Sequence, residues 1–141
     1  AYRGLFREGD GLSLYRTYRD RVLRSTPQGR QLVADIYANS QSVLITLLRH
    51  PQLMLQARKL LEVNRTAVRD VVDGRSSIIE HPETLLAFFD SFAERTEDAE
   101  LKALAKRVNA MIRKHRNKGQ PLFGFGLLRD ARSAADTSAR Q

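Results

Sequence analysis

The sequence predicts an all-α fold, a compact bundle of five to seven helices. Three observations carry this expectation. Apolar residues recur at three- and four-residue spacing nearly everywhere, and no period-2 stretch reads as a strand. Helix-start and helix-stop residues punctuate that pattern at regular intervals. The chain has 141 residues, 42% hydrophobic and 28% charged, the composition of a globular domain able to bury a core without staples.

A first helix is expected from about Ser13 to Arg24, with Leu14, Tyr18 and Val22 on one face beside Tyr15 and Leu23. Thr26 is a natural N-cap with Pro27 at the first helical position of a second helix. Leu32, Val33, Ile36 and Tyr37 form its expected buried stripe. Val43, Leu44, Leu47 and Leu48 continue the pattern beyond Asn39–Ser40, as one bent helix or two. His50–Pro51 marks a break, because a residue before proline avoids the helical region. From Gln52 a single long helix is expected through Val72, closed by Gly74 in a left-handed cap. His81–Pro82 opens another, carrying Leu85, Leu86, Phe89, Phe92 and Ala93. Thr96 is placed to cap the last long helix, which buries Leu101, Leu104, Ala105, Val108, Met111 and Ile112 and stops before Gly119. One helical domain over residues 1–128 and a tail at 129–141 follow. Phe123, Phe125, Leu127 and Leu128 either pack back over the bundle or dock onto a partner.

Composition narrows the chemistry. The sequence has no cysteine, so it holds no disulfide, thiolate metal site or cysteine nucleophile. The longest apolar runs are too short to span a bilayer. His50, His81 and His115 have no metal-type partner at i+3 or i+4, and no metal or other cofactor is expected. No G-x-S-x-G elbow, phosphate-binding loop or complete dinucleotide fingerprint occurs. Glu97, Asp98 and Glu100 suit a helix start better than a carboxylate pair for catalysis. No catalytic residue is assigned.

Net charge is +8, which favours acidic partners. Between Leu101 and Lys118 stand seven Lys or Arg and no acid. Lys102, Lys106, Arg113, Lys114 and Arg116 are the candidate polyanion-binding residues, with favourable placement at the helix C-terminus as the bland alternative. Around Tyr18–Val33, Arg16, Arg19, Asp20, Gly29 and Arg30 read as a braced corner. There Asp20 accepts from Arg16, Arg24 or Arg30, and Gly29 lets the helices approach.

The segment "LYRTYRDRVLRSTPQGRQLVADIYANS" (Leu14–Ser40) resembles the CFI-box C-terminal domain family of bacterial surface and secreted proteins. Arg16, Tyr18, Arg19, Asp20, Leu23, Gly29, Arg30, Val33, Tyr37 and Ser40 stand at the matching positions. The family's Cys-Phe-Ile box is missing, although "AYRG" (Ala1–Gly4) fits its end, and Gln41 stands where the family has proline. The resemblance implies a C-terminal, extracytoplasmic helical module and carries over no catalytic residue. The expected function is therefore a non-enzymatic interaction or structural module, a piece of a larger exported bacterial protein. Its expected partner is another protein or another domain of the same precursor. The alternative is a domain binding nucleic acid or acidic polysaccharide.

Overall fold

The computed structural model describes residues 11–119, 121–126 and the backbone of 128–129; residues 1–10 (Ala1–Gly4 among them), Gln120, Leu127 and residues 130–141 lie outside it. Among the described residues there are seven α-helices: α1 (Gly11–Arg21), α2 (Pro27–Ala38), α3 (Ser40–Arg49), α4 (Pro51–Val63), α5 (Arg65–Val72), α6 (Pro82–Arg95) and α7 (Ala99–Lys118). Two short strands, β1 (Ile79–Glu80) and β2 (Leu128–Arg129), pair in parallel. The chain is an all-α bundle.

The punctuation residues act as expected at most boundaries. The Thr26 hydroxyl accepts from the Gly29 N–H while Pro27 opens α2. Asn39 leaves helical geometry, so α2 and α3 are two helices. His50–Pro51 opens α4 and His81–Pro82 opens α6. Gly74 and Gly119 take the positive φ angles that end α5 and α7.

Three boundaries differ. The first helix ends at Arg21, and Leu23–Ser25 form a 3-10 turn, because Thr26 must be extended ahead of Pro27. The expected helix through Val72 divides at Asn64. Its side-chain amide donates to the Leu60 carbonyl at 3.0 Å, and its Oδ1 accepts from the Glu80 N–H at 3.0 Å. A side chain that competes for backbone groups disfavours continuation of the helix. The cap of α7 is Asp98, whose Oδ1 accepts from the N–H groups of Glu100 and Leu101. Thr96 is buried instead, its hydroxyl 3.2 Å from that of Thr46.

The core has two parts. The larger joins Leu47 of α3, Leu53 of α4, Phe92 and Ala93 of α6, and Leu101, Leu104 and Ala105 of α7. It continues through Phe89 and Val108 to Leu86, Ile112 and Leu122. The smaller part joins Ala67, Val68 and Val71 of α5 to Phe125, with Leu14, Tyr15 and Tyr18 of α1 and Val22 just after it packed against them.

The segment after α7 links the two parts. Leu122 and Phe125 exchange both backbone hydrogen bonds across Phe123 and Gly124, whose φ angles are 48° and 86°. That is a type I′ turn, with Phe in a position normally given to Asn or Gly. The strained backbone is held by burial of Leu122 in the larger core and Phe125 in the smaller. The Tyr18 hydroxyl adds a hydrogen bond to the Phe123 carbonyl at 2.8 Å.

Candidate functional site

The corner between α1 and α2 is built on Gly29. A Cβ at that position would overlap the Leu23 carbonyl oxygen, so the 3-10 turn lies directly on the first turn of α2. Two guanidinium groups meet one carboxylate beside this turn, and a third ties α2 to it. Asp20 Oδ1 accepts from Arg19 Nε at 2.9 Å and from Arg24 Nη1 at 3.0 Å. Arg30 Nη1 donates to the Arg24 carbonyl at 3.1 Å. The Arg19 hydrogen bond, joined by the Arg24 charge, holds the Asp20 carboxyl below the usual aspartate range.

The brace thus differs from its expected form. Arg19 and Arg24 bind Asp20; Arg30 binds a backbone carbonyl; Arg16 is exposed and takes no part. The reason is register. Arg19 adjoins Asp20 and Arg24 follows it by four residues on the turn, whereas Arg30 has entered α2, where the nearest acceptor is the Arg24 carbonyl.

Beside this corner lies Tyr37. Arg19 Nη1 donates to its hydroxyl, and the guanidinium carbon sits 5.7 Å from its ring centroid. Both α2 and α3 leave large apolar side chains exposed. Ile36 is 43% exposed, Tyr37 50%, Ile45 42% and Leu48 64%. They are four of the six exposed large apolar side chains among the described residues, gathered within thirteen positions of the sequence. Leu44 and Ile45 precede Leu48 by four and three residues and so share its side of α3.

Sequence periodicity placed Ile36, Tyr37 and Leu48 inside, and the structure places them outside. In α2, Gly29 and Val33 are buried and Leu32 packs on the larger core; neighbouring elements leave the C-terminal turn largely uncovered. In α3, Thr46 and Leu47 face inward. The signal was present in "VLITLL": apolar residues at five of six positions surround more of a helix than one core-facing stripe requires.

The other candidates are dispersed. On α7, Lys106 and Lys114 are exposed and Lys102 and Arg116 half-buried, while Arg113 pairs with Asp90 at 3.5 Å. By helical spacing Lys102, Lys106, Arg113 and Arg116 share one face of α7, with Lys114 to its side. In the C-terminal segment Phe125 is buried in the smaller part of the core and Phe123 is half-buried against the larger. Leu127 and the side chain of Leu128 lie outside the described residues.

A polar cavity of about 300 Å³ was not legible in the sequence. Ser42, Thr46, Arg49, His50, Arg95, Thr96, Glu97 and Asp98 line it with Ile45. Ser42 donates to Asp98 Oδ2 at 2.6 Å, and this bond, with the Leu101 and Glu100 N–H groups, lowers the Asp98 carboxyl. Arg49 meets Glu97 at 3.1 Å. The Ser42–Asp98 and Arg49–Glu97 bonds join α3 to the start of α7. No three His, Asp or Glu side chains gather in a metal-holding group, and no helix is long and apolar enough to cross a membrane, among the described residues. Comparison with known proteins finds no matching family model, curated protein or solved structure.

Proposed function

We propose that the chain is a non-enzymatic helical docking module that binds another protein, or another domain of its own precursor, through exposed apolar residues of α2 and α3. The observation that carries this reading is the exposure of Ile36, Tyr37, Ile45 and Leu48 within thirteen positions of the sequence, in a bundle that buries most of its apolar residues elsewhere. Solvent-facing apolar side chains scattered singly need no explanation, but here four fall on two successive helices, with Tyr37 beside a fixed charged group, and such a composition suits an interface. The resemblance of Leu14–Ser40 to the CFI-box domains supports reading the module as the C-terminal part of an exported bacterial protein.

A second reading rests on α7. Lys102, Lys106, Lys114 and Arg116 form no ion pair among the described residues, so they remain free to meet a polyanion. One pair of variants separates the two. Ile45→Ser with Leu48→Ser should change stability by no more than about 0.5 kcal/mol, as for any surface position. It should also abolish retention on a phenyl matrix while leaving heparin retention intact. Lys106→Glu with Lys114→Glu should do the reverse if α7 is the binding element. A large fall in melting temperature for the Ile45/Leu48 variant would show that these side chains belong to the core and overturn the docking reading.

A further inference from the structure

We propose that the corner between α1 and α2 binds a small phosphate monoester, whose doubly charged group is received by the guanidiniums of Arg19, Arg24 and Arg30. The argument begins with the balance of charge among bonded groups. Arg49, Arg107 and Arg113 each meet one acid, and Arg75 meets two. At the corner the ratio is reversed. Asp20 Oδ1 accepts from both Arg19 and Arg24, and Arg30 is tied to the turn through the neutral Arg24 carbonyl. One carboxylate answers three guanidiniums, and two positive charges are left over. The sequence supplies no further acid there: between Arg16 and Arg30 stand five arginines and Asp20 alone. Asp35, the next acid along the chain, is paired with Arg107 at 3.3 Å.

Their bonding leaves these cations ordered and still able to donate. Arg19 is held at three nitrogens: Nε and Nη2 meet the Asp20 carboxylate at 2.9 and 3.3 Å, and Nη1 meets the Tyr37 hydroxyl. Arg24 and Arg30 are each engaged through Nη1 among the described residues, so their other guanidinium N–H groups are open to a ligand. Arg24 is 46% exposed and within reach of one. A ligand that meets cations already tied in place loses little affinity to ordering them. Gly29 brings in the third charge, because only glycine lets the first turn of α2 lie on the Leu23 carbonyl. The same packing sets the positive end of α2 against the negative end of α1. The two helix dipoles largely offset, and the guanidinium charges decide.

The excess names the ligand. Two uncompensated charges match the dianion of a phosphate monoester, whereas a carboxylate, a sulfate ester or one phosphodiester of a nucleic acid carries a single charge. Guanidinium forks suit phosphate oxygens, and forks from α1, the turn and α2 suit three oxygens better than the two of a carboxylate. Lys102, Lys106 and Lys114 on α7 are point charges on flexible stems, which suit the field of a polymer better than one oxyanion. The site needs none of the exposed apolar residues on which the docking reading rests.

The test uses the full chain, labelled for NMR, at constant ionic strength and about pH 8, where a monoester is doubly charged. The probes are glycerol phosphate, dimethyl phosphate, methyl sulfate and acetate. Glycerol phosphate should shift the guanidinium Nε resonances of Arg19, Arg24 and Arg30 and the amides of residues 19–30, with a Kd on the order of 1 mM. The singly charged probes should bind about tenfold more weakly. Arg24→Gln should weaken glycerol phosphate about tenfold, and Arg30→Lys, which keeps the charge and loses the fork, about threefold. Both side chains are exposed, so neither change should unfold the chain. Lys106→Glu with Lys114→Glu should leave that binding within about twofold. Equal binding of dimethyl phosphate, methyl sulfate or acetate overturns the proposal, because the corner then reads one charge. Shifts centred on residues 102–116 overturn it by placing the site on α7. Tighter binding of an oligonucleotide without terminal phosphates at the same amides overturns it too, making the corner part of a nucleic-acid face. If glycerol phosphate shifts nothing, the proposal fails outright, and the docking reading, tested through Ile45 and Leu48, is untouched.

Discussion

The two parts of the core are built by different means. The larger one is assembled from helices that follow one another closely, with α6 and α7 forming a hairpin over Thr96–Asp98 and α3 and α4 meeting at His50. Its stability comes from apolar burial: Leu53 is 1% exposed and Leu101 3%. The smaller one unites α1, α5 and the residues after α7, so the two ends of the chain must meet before it exists. It is correspondingly rich in directional bonds. The Tyr15 hydroxyl reaches the Leu61 carbonyl, the Tyr18 hydroxyl reaches that of Phe123, and the Gly126 N–H reaches Ser77 at 2.7 Å. A small apolar cluster closed over a hundred residues repays its loop entropy with less burial, and hydrogen bonds fix the register that packing alone leaves loose.

The largest expected effects test whether the two parts can separate. Leu101→Ala and Phe125→Ala should each cost about 3–5 kcal/mol, the range for truncating a buried side chain. Their distribution should differ. Leu101→Ala is expected to raise amide hydrogen exchange throughout, because every helix but α1 and α5 rests on the larger core. Phe125→Ala should expose α1 and α5 to exchange while α6 and α7 keep their protection. Uniform loss of protection in both variants would mean one cooperative core.

A smaller effect isolates the close packing that joins them. Gly74 and Gly124 have nearly the same backbone angle, φ 81° and 86°. A Cβ at Gly74 meets nothing within 4 Å, whereas one at Gly124 lies 2.6 Å from Val71 Cγ1 and 2.8 Å from Val22 Cγ1. Alanine at Gly74 should therefore cost only the left-handed backbone penalty, about 1–2 kcal/mol. Alanine at Gly124 should cost about 1–3 kcal/mol more, the usual toll of overpacking. Equal melting temperatures for the two variants would show that Val22 and Val71 move aside freely.

The same contrast explains what the sequence could reveal. Elements fixed by neighbours in the chain were legible: Thr26–Pro27, the two His-Pro starts and the caps at Gly74 and Gly119 depend on residues within a turn or two. The Asn64 break was not, because half of its cause is the Glu80 N–H, sixteen residues away. Asp98 displaced Thr96 as a cap for a related reason, since Thr96 is engaged by Thr46 of α3. The exposure of Ile36 and Tyr37 was not legible because periodicity reports which side chains share a face, and these two lie beyond the reach of the elements that cover Leu32 and Val33. The corner was half legible. Its residues are local, but which arginine reaches Asp20 depends on where α1 ends.

The smallest effects concern pH and should fall on opposite sides of neutrality for the two parts. Asp98, lowered by Ser42 and the α7 N–H groups, favours the fold above its ordinary range and loses that contribution as acid protonates it. Ser42→Ala removes the first of those causes, so the gap between folded and unfolded Asp98 narrows. The acid limb of melting temperature against pH should become shallower, with Asp20 supplying what remains. Tyr15 behaves in the reverse sense. Burial raises its hydroxyl from 10.0 to about 12, and Tyr18 is raised by the same cause. The folded chain then keeps protons that the unfolded chain releases. Their contribution is complete below pH 10.0 and declines as alkali approaches the folded value. Tyr15→Phe with Tyr18→Phe should cost about 1 kcal/mol per lost hydrogen bond at neutral pH and flatten the alkaline limb alone. Unaltered alkaline slope in that variant would place the titrating groups elsewhere. If each substitution changes only its own limb, acid strains the α3–α7 junction and alkali the contact between the chain's two ends, so pH becomes a way to loosen one part while the other holds.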